Sequence, residues 1–99
     1  MQMFVGTLEA DVLLGDVHSL KHKRAVIRPL LARLRRFEVS VVEAGDTDLH
    51  RRALIGVAMI SGSHSHVQEI LDRCEQQLAV EPEIELLGVR RRVVSTGDE

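Results

Sequence analysis

Residues 4–34, FVGTLEADVLLGDVHSLKHKRAVIRPLLARL, change their hydrophobic period once, and that change decides the fold. Up to Leu13 the chain alternates. Phe4, Gly6, Leu8, Ala10 and Val12 fall on one face; Val5, Thr7, Glu9, Asp11 and Leu13 fall on the other. Period two over this length predicts a half-buried β-strand. Gly15-Asp16 then interrupts with turn residues. Ser19 offers a hydroxyl to the free amides of a helix start. From Leu20 the period lengthens. Leu20, Val26, Ile27, Leu30, Leu31 and Leu34 line one side of a helix over residues 20–36, with Lys and Arg on the other. Pro29 lies inside it, where a proline costs about 3 kcal/mol and one backbone hydrogen bond. The apolar stripe keeps phase across Pro29, which predicts one kinked helix rather than two.

Working outward, Phe37–Glu43 reads as a second strand with Val39, Val41 and Val42 as β-branched residues. Residues 44–50 are polar and turn-rich and read as a loop. Arg52–Ser61 is a third strand. A second helix carries Val67, Ile70, Leu71, Cys74 and Leu78 as a single stripe and is stopped by Pro82. Its start is a capping box from Ser65 and Gln68, with Ser63 as the competing cap. Ile84–Val94 is a fourth strand, with Gly88 a candidate interruption, and residues 95–99 form a polar tail expected to fray. The order β-α-β-β-α-β predicts an α+β, ferredoxin-like domain over residues 1–94, with a four-stranded antiparallel sheet and both helices on one face. The third strand is apolar on both faces, whereas a sheet covered on one side should alternate. Leu54, Ala58 and Ile60 fall on its uncovered face, and a homodimer built there is expected.

Composition excludes several classes. Ninety-nine residues with 44% hydrophobic and 28% charged side chains suit one folded domain, not a disordered chain. Thirteen Lys+Arg against fifteen Asp+Glu give a net charge of −2, so any polyanion contact must come from a local patch. A single Cys provides neither an internal disulfide nor a Cys-based zinc site. No apolar run is long enough to span a bilayer, and the N-terminus lacks a secretory pattern. A cytoplasmic location and no membrane partner are expected.

The local patch is visible. Between His18 and Arg36 there are seven Lys/Arg and no acid; between Glu69 and Glu85 there are six acids and one Arg, Arg73. Attraction between the two helices is the plainest reading, at roughly 0–1 kcal/mol per exposed pair. It leaves the first turn unexplained. Helix starts carry partial positive charge and favour Asp or Glu, yet this one opens His18-Ser19-Leu20-Lys21-His22-Lys23-Arg24. Ser19, Lys21, Lys23, Arg24 and Arg28 therefore form a candidate anion or RNA site. The competing reading is a solvated basic face neutralised by Asp16 and by residues 43–48.

Other chemistry does not assemble. Two Phe, Phe4 and Phe37, with no Tyr or Trp, disfavour base stacking on the sheet, so RNA would be held by its phosphates and no DNA sequence recognition is expected. His64 and His66, or His18 and His22, fall short of the three or four ligands of a zinc site, and Cys74 lies on an apolar stripe. Ser61 and Ser63 lack a nucleophile elbow, Asp46 and Asp48 lie in a loop, and Gly15 stands alone without P-loop spacing. Arg90-Arg91-Arg92 reads as edge-strand charge, with a second phosphate contact as the alternative. Arg51-Arg52 could meet an anion or pair with Asp46 or Asp48.

The segments Val5-Gly6-Thr7-Leu8, Ser19-Leu20-Lys21-His22-Lys23-Arg24, Val39-Ser40-Val41-Val42-Glu43 and Leu54-Ile55-Gly56-Val57-Ala58 together resemble the YlxP-like family of small bacterial proteins of unknown function. The likeness runs through nearly the whole chain, and the Ser-Leu-Lys-x-Lys-Arg block is its most specific piece. It implies a ferredoxin-like fold. Genes of that family commonly lie among those for transcription elongation, translation initiation and ribosome maturation, which implies by association a place near RNA or the ribosome. It brings no catalytic residue and no cofactor. Many relatives carry an aromatic residue before the third strand; this chain reads Asp48-Leu49-His50-Arg51-Arg52, so no role of that aromatic carries over. The expectation is a non-enzymatic homodimer contacting RNA or a ribosome-associated polyanion through its basic helix, without metal or cofactor. The alternative is a regulatory module docking an acidic protein. An enzyme acting on a phosphorylated metabolite would need convergent His and carboxylate groups.

Overall fold

Alternation carries the first strand, β1 (Phe4–Leu14), into the centre of the sheet: Gly6, Leu8, Ala10, Val12 and Leu14 are all buried. A computed structural model describes residues 2–97. It continues with α1 (Leu20–Arg35), β2 (Ser40–Ala44), β3 (Arg52–Ser61), α2 (His64–Ala79) and β4 (Ile84–Ser95). The four strands pair antiparallel in the order β2-β3-β1-β4. That is the ferredoxin-like arrangement the element order predicts. Apolar stripes of α1 and α2 meet one face of this sheet, with α2 over β1 and β4 and α1 toward β2. Leu8, Leu14, Leu30, Leu34, Ile55, Leu71 and Leu78 are essentially inaccessible and form the centre of the core. Among the described residues, no helix is long and apolar enough to cross a membrane.

The single helix expected across Pro29 is observed, with the proline exposed to solvent, but other boundaries differ from the sequence reading. Strand β2 begins at Ser40, not Phe37. The amides of Phe37 and Glu38 still donate to the carbonyls of Leu34 and Arg35, both at 3.0 Å, and Glu38 turns the chain at φ 62°. Extended pairing starts only after that left-handed residue. Ser63, not Ser65, caps α2, accepting from the His66 amide at 3.2 Å. Gly88 does mark an irregularity. Asp11 pairs with Gly88 and Val12 with Leu86, so Leu87 is the extra residue of a β-bulge. The predicted frayed tail begins too early: Ser95 pairs with Phe4, and the Thr96 amide donates to the Met3 carbonyl at 2.8 Å. Asp98 and Glu99, the end of that tail, lie outside the described residues.

Gly6 is the closest approach of helix to sheet. A Cβ there would collide with a Val67 methyl and lie 3.1 Å from Leu71 Cδ1. The missing side chain lets α2 settle onto β1, and both neighbours are fully buried and have little room to yield. Gly6→Ala is expected to destabilise the fold by about 1–3 kcal/mol through overpacking. Urea unfolding should show a lower midpoint with an unchanged slope; a midpoint equal to the parent's would mean that α2 can lift without cost.

Candidate functional site

The start of α1 is built by Ser19. Its backbone is extended, its Oγ accepts from the His22 amide at 3.0 Å, and its carbonyl accepts from the Lys23 amide at 2.9 Å. No acid occupies the first turn. The cations predicted to gather here separate according to helical phase. At roughly 100° per residue, Lys23 falls among Ile27, Leu30 and Leu34, and it is 2% exposed. Its Nζ donates to the carbonyls of Leu49 at 2.6 Å and Thr47 at 3.1 Å, and lies 2.7 Å from Glu43 Oε2. That oxygen is buried and takes no aligned hydrogen bond, so its partner is the ammonium charge itself. Lys23 is thus withdrawn from the anion site. It ties α1 to the end of β2 and to the loop that follows, and its phase on the apolar side was the signal for this.

Lys21, Arg24 and Arg28 behave differently. With Arg35 they occupy roughly 60° of the outer arc and extend for roughly 21 Å along the helix axis. All four are exposed. Among the described residues none of them forms an ion pair with a carboxylate; Arg35 reaches only the Val41 carbonyl, at 3.4 Å. Of the acids proposed to neutralise this face, none pairs with these four cations, and Asp48 forms no ion pair among the described residues. Asp16 holds His18 at 2.7 Å, Glu43 holds Lys23, and Asp46 Oδ1 accepts from the Asp48 amide at 3.1 Å. Among the described residues no ion pair joins the two helices; Arg33 of α1 instead meets Glu81, just past the end of α2.

Most other arginines are spoken for. Arg51 donates to the carbonyls of Leu14 and Gly15, and Arg52 grips both oxygens of Asp11 at 2.8 and 2.6 Å. Neither pairs with Asp46 or Asp48, because the strand register brings Arg52 alongside β1 instead. The Asp11 hydrogen bond, then its charge, raises the Arg52 pKa above its ordinary value. Arg73 meets Glu69 at 3.3 Å along α2, and Arg90 meets Glu9 at 2.8 Å on the sheet face away from the helices. Arg91, on the opposite side of edge strand β4, reaches Asp72 at 2.6 Å, Glu75 and Gln68 under α2.

The remaining candidates stay apart. His64 stacks edge-on against Phe4, with centroids 5.3 Å apart, and His66 faces Glu69 at 3.8 Å. Among the described residues no three His, Cys, Asp or Glu side chains come close enough to hold a metal. Cys74 is fully buried, and that burial pushes its thiol up to about 11, against a smaller opposing effect of Arg91. Leu54, Ala58 and Ile60 do share the uncovered sheet face; the first two are half-buried and Ile60 is 60% exposed.

Fold and surface together define a small ferredoxin-like α+β protein with a basic outer helix face. Residues 5–91 match the family model described as "Protein of unknown function (DUF503)", and the chain belongs to that family. It is 35% identical over 82 residues to the uncharacterized protein YlxP of Bacillus subtilis (strain 168), covering 82% of this chain and 89% of that protein. Two solved structures share the fold alone. The de novo designed protein Foldit4 aligns with a TM-score of 0.52 at 12% identity, over 98% of this chain and 99% of the design. A Bacillus cereus protein described as an antibiotic biosynthesis monooxygenase aligns with a TM-score of 0.50 at 16% identity, over 100% and 97%.

Two outcomes follow from the buried groups. Lys23→Ala strands Glu43 and two carbonyls, and should cost about 3 kcal/mol. Pairing Lys23→Met with Glu43→Leu should recover most of that loss in denaturant unfolding, because a buried pair is readily replaced by apolar packing. Additive losses would show that the contact is incidental. For Cys74, the unfolded thiol ionises near 9.0 and the folded one near about 11. Above the lower value the unfolded chain releases a proton that the folded chain keeps, so stability should fall with pH across that window. At pH 8 a thiol reagent should label the chain only after denaturation.

Proposed function

We propose that this protein is a non-enzymatic binding protein that holds the phosphate backbone of a folded RNA along the outer face of α1. The observation that supports this reading is the sorting of its cations. Lys21, Arg24 and Arg28 lie exposed on one stripe without a carboxylate partner among the described residues, while Lys23, Arg33, Arg52, Arg73, Arg90 and Arg91 are all paired within the chain. Exposed arginines present a planar fork that matches phosphate oxygens. The positive pole of α1 adds to the attraction at the Ser19 end.

The same stripe is poorly suited to a protein partner. Protein interfaces concentrate their energy in aromatic and large apolar anchors. Here the residues interleaved with the cations are Ala25, Pro29 and Ala32. Base stacking has no support either, since Phe4 and Phe37 pack against the core. Recognition by phosphate position and shape fits both facts. The gene neighbourhood implied by the family resemblance points the same way.

Binding of a structured RNA hairpin and of purified ribosomal particles, followed by fluorescence anisotropy and sedimentation, tests this reading. Affinity should fall steeply with salt, because each neutralised phosphate releases counterion. Replacing Lys21, Arg24 and Arg28 by Ala should flatten the log–log salt slope by about 2–3. The folded state should be retained, and Arg73→Ala should bind like the parent. A triple variant that binds RNA as the parent does overturns the proposal. Capture of an acidic protein that survives nuclease and is lost in the triple variant would favour the docking-module reading instead.

A further inference from the structure

The sheet face away from the helices is uncovered, and its relief is uneven. Around Gly56 and Ala58 lies a hollow of about 400 Å³, walled by Val42, Leu54 and Thr7. One pleat further along β3 stands Ile60, 60% exposed, in register with Val5 of β1 and, through it, Val94 of β4. Knob and hollow thus belong to one strand.

Gly56 is the informative residue. A glycine in a strand interior weakens the strand and often marks the close approach of another backbone. Here it has no positive φ to require it. A Cβ at this position would meet only an exposed Val42 methyl at 3.3 Å and the Val42 carbonyl at 3.9 Å. The Val42 contact is tight, but that side chain is exposed and free to turn aside, so packing within the chain does not by itself demand a bare backbone at this position.

Charge on this face is partly settled inside the chain, with Arg92 on edge strand β4 exposed and without an ion pair among the described residues. Glu9 pairs with Arg90 and Asp11 with Arg52. No strong net field selects an oppositely charged partner. The face lies near the lower limit of interface size: strands of 11, 5, 10 and 12 residues at about 4.8 Å spacing give on the order of 600 Å² of flat area per copy. A stable association needs about 800 Å² per partner including side-chain relief.

We propose that the occupant is a second copy of this chain, packed sheet to sheet about a two-fold axis that crosses β3 at Ala58. Residues equidistant from Ala58 then face each other, so Ile60 of each copy enters the hollow over Gly56 of the other. The interface is isologous, as closed dimers require. Both copies of α1 point away from it, which keeps this proposal independent of the RNA reading.

The mass of the full-length protein, measured by sedimentation equilibrium between about 1 and 100 µM, tests this, the range bracketing the micromolar dissociation constants of ordinary associations. The parent should show the mass of two chains at the upper end. Ile60→Arg and Gly56→Asp should each give one-chain mass with an unchanged circular dichroism spectrum. Val80→Arg, exposed at the end of α2, should leave the mass of two chains intact. Mixing I60R with G56D chains should restore the two-chain mass, since one of the two contacts becomes an ion pair. A parent that stays a single chain, or an I60R variant that stays double, overturns the proposal. Failure of the mixed pair to associate would overturn the placement of the axis at Ala58.

Discussion

Two helices of sixteen residues each cover one face of a four-stranded sheet and no more. That limit organises the molecule. It places every large buried side chain between one sheet face and two apolar stripes, with Gly6 as the point where α2 comes closest. It also leaves two surfaces for the chain to define by other means: the outer arc of α1 and the bare side of the sheet. The first is cationic and lacks large apolar groups, whereas the second is apolar across β2 and β3 and carries charges toward β4 that are paired internally except at Arg92.

The basic helix shows how burial sorts residues of one type. Seven cations lie between His18 and Arg36. Phase sends Lys23 inward, where two carbonyls and one carboxylate satisfy it, and sends Arg33 toward Glu81 near α2. What remains on the outside is a row of four, Lys21, Arg24, Arg28 and Arg35, with Arg36 to one side at the helix end. A row of separated charges suits a ligand with repeating charges of its own, and this is why the phosphate backbone suits the geometry better than a single small anion does.

Most of the fold was legible because its signals are periodic. The alternation of Phe4–Val12 and the stripes at Val26–Leu34 and Val67–Leu78 all reappear as burial. The boundaries that differed depend on local geometry that composition does not carry. Phe37 looked like strand, yet Glu38 turns at positive φ before pairing begins. Ser95 looked like tail, yet the length of β1 gives it a partner. Of the candidate site, Ser19, Lys21, Arg24 and Arg28 are placed on the surface where the sequence put them. Lys23 departs from that expectation because its helical phase carries it inward, and a lysine is almost never fully buried unless it is paired. Its partners come from residues 43–49, about a fifth of the chain away, where spacing along the sequence gives no hint.

The loop between β2 and β3 has the look of a permissive segment: polar, exposed and carrying a glycine at φ 71°. Yet the carbonyls of Thr47 and Leu49 both end on the Lys23 ammonium. Lengthening this turn would carry acceptors away from a charge that cannot follow them. Its span is therefore constrained as firmly as any core side chain, and a peptide tag or natural insertion would be better accommodated at Gly62, where the surroundings are open.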